Sequence, residues 1–77
     1  MENKITARQS SHSGNLTKIQ NHRLYYKLTL SKMANKAGVN IKTIMGAESG
    51  RPISLLTAIA ISNAIGKPFD ELFMVEE

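Results

Sequence analysis

The sequence predicts an all-α domain of five short helices. Three observations carry that expectation. Apolar residues recur at helical spacing from Leu16 to Phe73, good capping residues stand just before the successive runs, and glycine or proline follows them. No stretch shows the sustained two-residue alternation of a half-buried strand.

The elements follow in order. Residues 1–14 are polar and lack any sustained period, so they read as a flexible arm carrying Lys4 and Arg8, with the folded domain spanning 15–77. A first helix starts at Leu16, places Ile19, Arg23 and Tyr26 on one face with Leu24 beside it, and stops near Lys27. Thr29 caps a second helix whose apolar positions are Leu30, Met33, Ala34 and Ala37. Gly38 then stands where a helix end commonly turns left-handed. Asn40 caps a third helix with Ile44 and Ala47 on its inner side. After the break at Gly50, Arg51 and Pro52, Ser54 caps a fourth helix that ends at Gly66. Pro68 opens a last short helix from Phe69 to Met74.

Composition removes several classes of function. Seventy-seven residues allow one domain with a small core. There is no cysteine, so disulfides, thiolate zinc sites and iron–sulfur clusters are excluded, and His12 and His22 have no neighbouring ligand set. No metal or cofactor is expected. The longest apolar-rich stretch, from Ile53 to Ile65, is too short for a bilayer, and the first residues carry no secretory pattern. The expected location is the cytoplasm.

Charge is unevenly placed. Residues 16–50 hold six cations (Lys18, Arg23, Lys27, Lys32, Lys36 and Lys42) against Glu48 alone. Residues 51–77 are net acidic, with Asp70, Glu71, Glu76 and Glu77 against Arg51 and Lys67. A basic middle points to a polyanion, nucleic acid ahead of anionic membrane.

The segment 30–49, LSKMANKAGVNIKTIMGAES, is the informative one. Two helices that cross steeply through a short turn need a small residue at the crossing, and Ala34 is there. The turn needs a residue tolerant of positive φ, and Gly38 is there. Val39, Ile44 and Ala47 have the spacing to plug the angle between the helices.

These residues make the run LTLSKMANKAGVNIKTIMGAESG similar to the helix-turn-helix of the phage repressor and Cro family. Leu28-Thr29, Met33-Ala34, Ala37-Gly38-Val39, Thr43-Ile44 and Glu48 recur in place. Arg23 upstream and the downstream SLLTAIAISNAIG and PFDELF extend the resemblance from Leu16 to Phe73. It implies a five-helix, lambda-repressor-like domain that binds duplex DNA as a dimer on a two-fold operator, its third helix in the major groove. The base-contact set is then Ile41, Lys42, Thr43, Met45 and Gly46. The phosphate set is Thr29, the Leu30 amide, Ser49 and Arg51, with Lys4 and Arg8 of the arm adding contacts. The resemblance further implies a structural salt bridge between Arg23 and Glu48. Phe69, Phe73, Met74 and Val75 offer more apolar surface than one short helix can bury, and so form the expected dimer interface.

Two departures bear on the reading. Leu30 stands where the family most often has glutamine, and Gly46 where it usually has a longer polar residue. Ile41 and Met45 make the outward face unusually apolar. The expected function is a DNA-binding transcriptional regulator, a repressor acting as a homodimer. The alternatives are the antitoxin of a toxin–antitoxin pair and a helix-turn-helix module that binds protein, a toxin or an antirepressor. No catalytic set is present: the Ser and His of SSHS at 10–13 have nothing to fix a triad, and Asp70 and Glu71 are adjacent on a helix.

Overall fold

The computed structural model describes residues 4–10 and 16–76. Among them are five α-helices: α1 (Lys18–Tyr25), α2 (Leu30–Ala37), α3 (Ile41–Glu48), α4 (Leu55–Ile65) and α5 (Phe69–Leu72). Two short strands, β1 (Lys4–Ala7) and β2 (Phe73–Glu76), pair antiparallel, with Ala7 opposite Phe73 and Lys4 opposite Glu76.

Side-chain oxygens start four of the helices. Thr17, Thr29, Asn40 and Ser54 accept from the amides of Gln20, Lys32, Lys42 and Thr57, each satisfying one donor that a helix start leaves without an intrahelical partner. Gly38 ends α2 at φ +71°, its amide and that of Val39 returning to Ala34 and Asn35 carbonyls. That left-handed residue is what lets the chain reverse within the few residues before Asn40.

The core draws on every element. Ile19 of α1, Met33 and Ala34 of α2, Ile44 and Ala47 of α3, and Ala58 and Ile61 of α4 pack with Leu72 and Phe73. Ile5 and Ala7 of β1 join them. Leu28, Leu30, Val39, Ile53, Ile65 and Phe69 lean on this cluster from its rim.

The two strands correct the expected all-α layout and the expected arm. Ile5 and Ala7 are buried while Lys4 is exposed, and this alternation is what β1 needs to lie on the core. Beyond it the chain stays tied down: the Arg8 amide donates to the Leu72 carbonyl, the Lys18 amide to Arg8, and the Ser10 amide to Leu16, each at 2.8 Å. Ile53 also donates its amide to Ile5, at 2.9 Å, so β1 is held on a second side. Residues 4–10 are therefore part of the folded body and not of a free arm. The rest of the expected arm, residues 1–3 and 11–14 with His12 among them, lies outside the described residues.

A second correction concerns the C-terminal end. The last helix stops at Leu72, and Phe73 enters β2 with extended backbone (φ −127°, ψ 160°). A third concerns α1, where only Ile19 is buried and Leu24 and Tyr26 face solvent. The helix is too short to present the continuous apolar face that its sequence suggested.

Candidate nucleic-acid interface

The α2–turn–α3 unit sets two helix faces in opposite environments. The inner stripe of α3 is Ile44, Ala47 and Glu48, all buried. Ile41, Lys42 and Met45 project outward and are exposed, with Thr43 and Gly46 half-buried at their flanks. Lys42 is one residue inside the start of α3, and its backbone amide is taken by Asn40 Oδ1 at 2.8 Å. Its ammonium thus stands on a well-formed first turn.

The expected phosphate set surrounds this face. Thr29 caps α2 through its hydroxyl, which accepts from the Lys32 amide at 3.0 Å. The Leu30 side chain turns toward the core, leaving its backbone at the helix start. The Ser49 hydroxyl donates to the Met45 carbonyl at 2.8 Å, and Arg51 is exposed with its amide donating to Gly46 at 3.0 Å. A shallow depression of about 350 Å³ brings Leu30, Met45 and Ser49 together with Gln9 and Gln20. The two glutamines escaped the sequence reading, because neither lies in the helix-turn-helix and nothing in their local pattern marks them.

Lys4 and Arg8 belong elsewhere. Lys4 sits in β1 opposite Glu76, and Arg8 Nε donates to the Asp70 carbonyl at 2.8 Å. Both are anchored where they were expected to be loose.

Beneath the outward face, Arg23 and Glu48 meet in a two-pronged ion pair. Arg23 Nε lies 2.6 Å from Glu48 Oε2, and Nη2 donates to Oε1 at 3.1 Å. Arg23 Nη1 also donates to the Leu28 carbonyl at 3.0 Å, and the buried Thr17 hydroxyl donates to the Glu48 carbonyl at 3.1 Å. The two side chains retain only 13% and 6% exposure. Planar guanidinium and carboxylate match in geometry, so the pair fixes orientation as well as charge. It clamps α1 and the α1–α2 turn onto the end of α3.

The expected interface residues separate. Phe73 is fully buried and Phe69 packs on the core, whereas Met74 and Val75 are exposed. Phe73 is therefore satisfied within one chain, because β1 covers it. Other large apolar residues stand in solvent on α4: Leu55, Leu56 (80% exposed) and Ile59.

Gly46 tests the packing of α3 directly. A methyl group there would meet only the Arg51 Cδ, at 4.0 Å, an ordinary contact. Gly46→Ala is therefore expected to stabilise the domain by about 0.5–1 kcal/mol, since glycine is the weaker helix former. A urea midpoint at or below that of wild type would show that the helix is strained in some way the contact does not reveal.

Among the described residues no helix is long and apolar enough to cross a membrane. A family model described as helix-turn-helix matches residues 19–72, most of the chain. No curated protein and no solved structure matches it.

Proposed function

The chain belongs to the helix-turn-helix family of the phage repressor and Cro type, whose members are DNA-binding regulators and not an enzyme family, and from that premise we propose a sequence-specific repressor that acts as a homodimer. The observation that carries the reading is the pairing of an exposed Ile41–Lys42–Met45 surface with a buried clamp that orients it. In this reading α3 enters the major groove. Lys42 donates to guanine O6 or N7, and Ile41 and Met45 lie against thymine methyl groups. Thr43 and Gly46 border that contact, and Gly46 leaves room for close approach. Thr29, the Leu30 amide, Ser49 and Arg51 take the phosphates on either side. Gln20, beside Leu30 in the surface depression, supplies the amide side chain that Leu30 lacks.

Two such domains related by a two-fold axis would read half-sites about 34 Å apart. The exposed apolar residues of α4 and β2 offer the contact between copies. They also support a second reading, in which a protein partner such as a toxin covers them and the chain is an antitoxin.

The test is titration of DNA selected from a random pool, at two salt concentrations, with sedimentation of the free protein. Lys42→Ala should weaken operator binding by about 1–3 kcal/mol, and more than it weakens binding to random DNA. Ile41→Asp should abolish operator binding by placing a carboxylate against the duplex. Operator affinities equal to wild type for both variants would remove α3 as the reading head. Monomers alone at tens of micromolar, with binding intact, would remove the homodimer.

A further inference from the structure

On the α1 and α5 side lies an open cavity of about 460 Å³, within the range of small-molecule sites. Its wall includes Lys18, His22, Tyr25, Tyr26, Lys67 and Glu71, and Leu72 contributes apolar surface. No residue of α2, α3 or the segment around Arg51 lines it, so it is separate from the face assigned to DNA. We propose that this cavity binds a small planar organic anion, an aromatic carboxylate by class.

The aromatic side of the argument rests on where the rings are. The chain has two phenylalanines and two tyrosines. Both phenylalanines pack into or against the core, whereas Tyr25 and Tyr26 remain 76% and 60% exposed at this cavity. The Tyr26 ring lies 4.9 Å from Tyr25 edge-on and 4.7 Å from His22 at a tilt. Such an array offers ring surface and hydroxyls to a flat guest.

The charge side rests on the two lysines of the wall: Lys18 opens α1 and Lys67 precedes α5. His22 is held below its ordinary pKa first by burial and then by Lys67 and Lys36, which places a neutral ring in a positive field. Glu71 is the acid in the wall, and Lys67 approaches it only at 3.5 Å with both side chains about half exposed. That pair is weak and leaves Lys67 available to a better-placed anion. A bare inorganic anion would use the lysines and leave the tyrosines without a role. A neutral ring would do the reverse. An aromatic carboxylate uses both.

The experiment is a two-dimensional NMR titration of the full chain, without DNA, using 1-naphthoate. Saturable shifts confined to His22, Tyr25, Tyr26 and Lys67 are expected. Both Lys67→Ala and Tyr25→Ala change exposed side chains, and each should weaken the probe by about tenfold, as expected for loss of a charge-assisted contact or a stacked ring. Glu71→Gln should tighten it, because it removes the competing carboxylate. Three results would each overturn the site: shifts centred on Leu55, Leu56 and Ile59, equal binding of 1-naphthalenemethanol, or equal binding of inorganic phosphate. Because no DNA is present, the outcome is independent of the operator titration.

Discussion

Glu48→Gln is expected to destabilise the domain by about 3–5 kcal/mol, the cost of breaking a buried ion pair from one side. For a chain of this size that is most or all of its margin. The reason lies in what would be left behind. The Arg23 guanidinium is nearly enclosed by Glu48 and the Leu28 carbonyl. Glutamine can accept from one of its N–H groups but turns an NH₂ toward the other, with no negative charge to offset the cation. A double variant, Arg23→Met with Glu48→Leu, should be milder than either single change, since no charge remains uncompensated. Urea unfolding of Glu48→Gln, Arg23→Met, Glu48→Leu and the double variant is the measurement. A Glu48→Gln unfolding free energy within about 0.5 kcal/mol of wild type would show that water reaches the pair freely. The functional consequence follows from position: the pair sits under the end of α3, so the variants should lose operator affinity along with stability.

Phe73→Ala should cost a similar amount, about 3–5 kcal/mol, the usual range for truncating an enclosed phenylalanine. Phe73 has no exposed surface, lies 5.5 Å from the Phe69 ring and pairs through its backbone with Ala7. Its loss would open a cavity where α5, β2 and β1 meet, and would loosen the attachment of β1. The decrease in melting temperature should be the same at every protein concentration, as befits a core residue. Val75→Ser, two positions further along the same strand but exposed, should change stability by no more than about 0.5 kcal/mol while weakening any self-association. A Phe73→Ala protein that melts normally but no longer associates would return Phe73 to the interface.

That reversal of role shows where sequence patterns lose their hold. Phe69 and Phe73, four residues apart, look like one face of a helix that needs a partner. In the structure the helix ends between them, and the second ring is covered by a strand from the opposite end of the chain. A four-residue strand spans two alternations, too few to stand out against chance in a polar segment such as KITA. Its identity depends on the pairing of Ala7 with Phe73 and of Ile5 with Ile53, 66 and 48 positions further along the chain, and such distant contacts leave no local pattern. The same limit hid Gln9 and Gln20, which reach the surface depression only through the pairing of residues 8–10 with 16–18.

What the sequence by itself determined is everything set by near neighbours. Thr29, Asn40 and Ser54 start helices because an oxygen two or three residues from an unpaired amide is close whatever the rest of the chain does. Gly38 and Gly66 end helices because only glycine takes positive φ there without strain. The crossing of α2 and α3, with Ala34 small and Val39 and Ile44 turned inward, follows from those local rules, and so does the outward position of Lys42. The tertiary structure alone decided that residues 4–10 are bound, that Phe73 is core, that Leu24, Tyr25 and Tyr26 are left at the surface, and that Lys67 and Lys36 come near His22. Burial is a property of what covers a side chain. In a domain of this size the cover comes from distant segments, whose closeness is fixed only when the whole core closes.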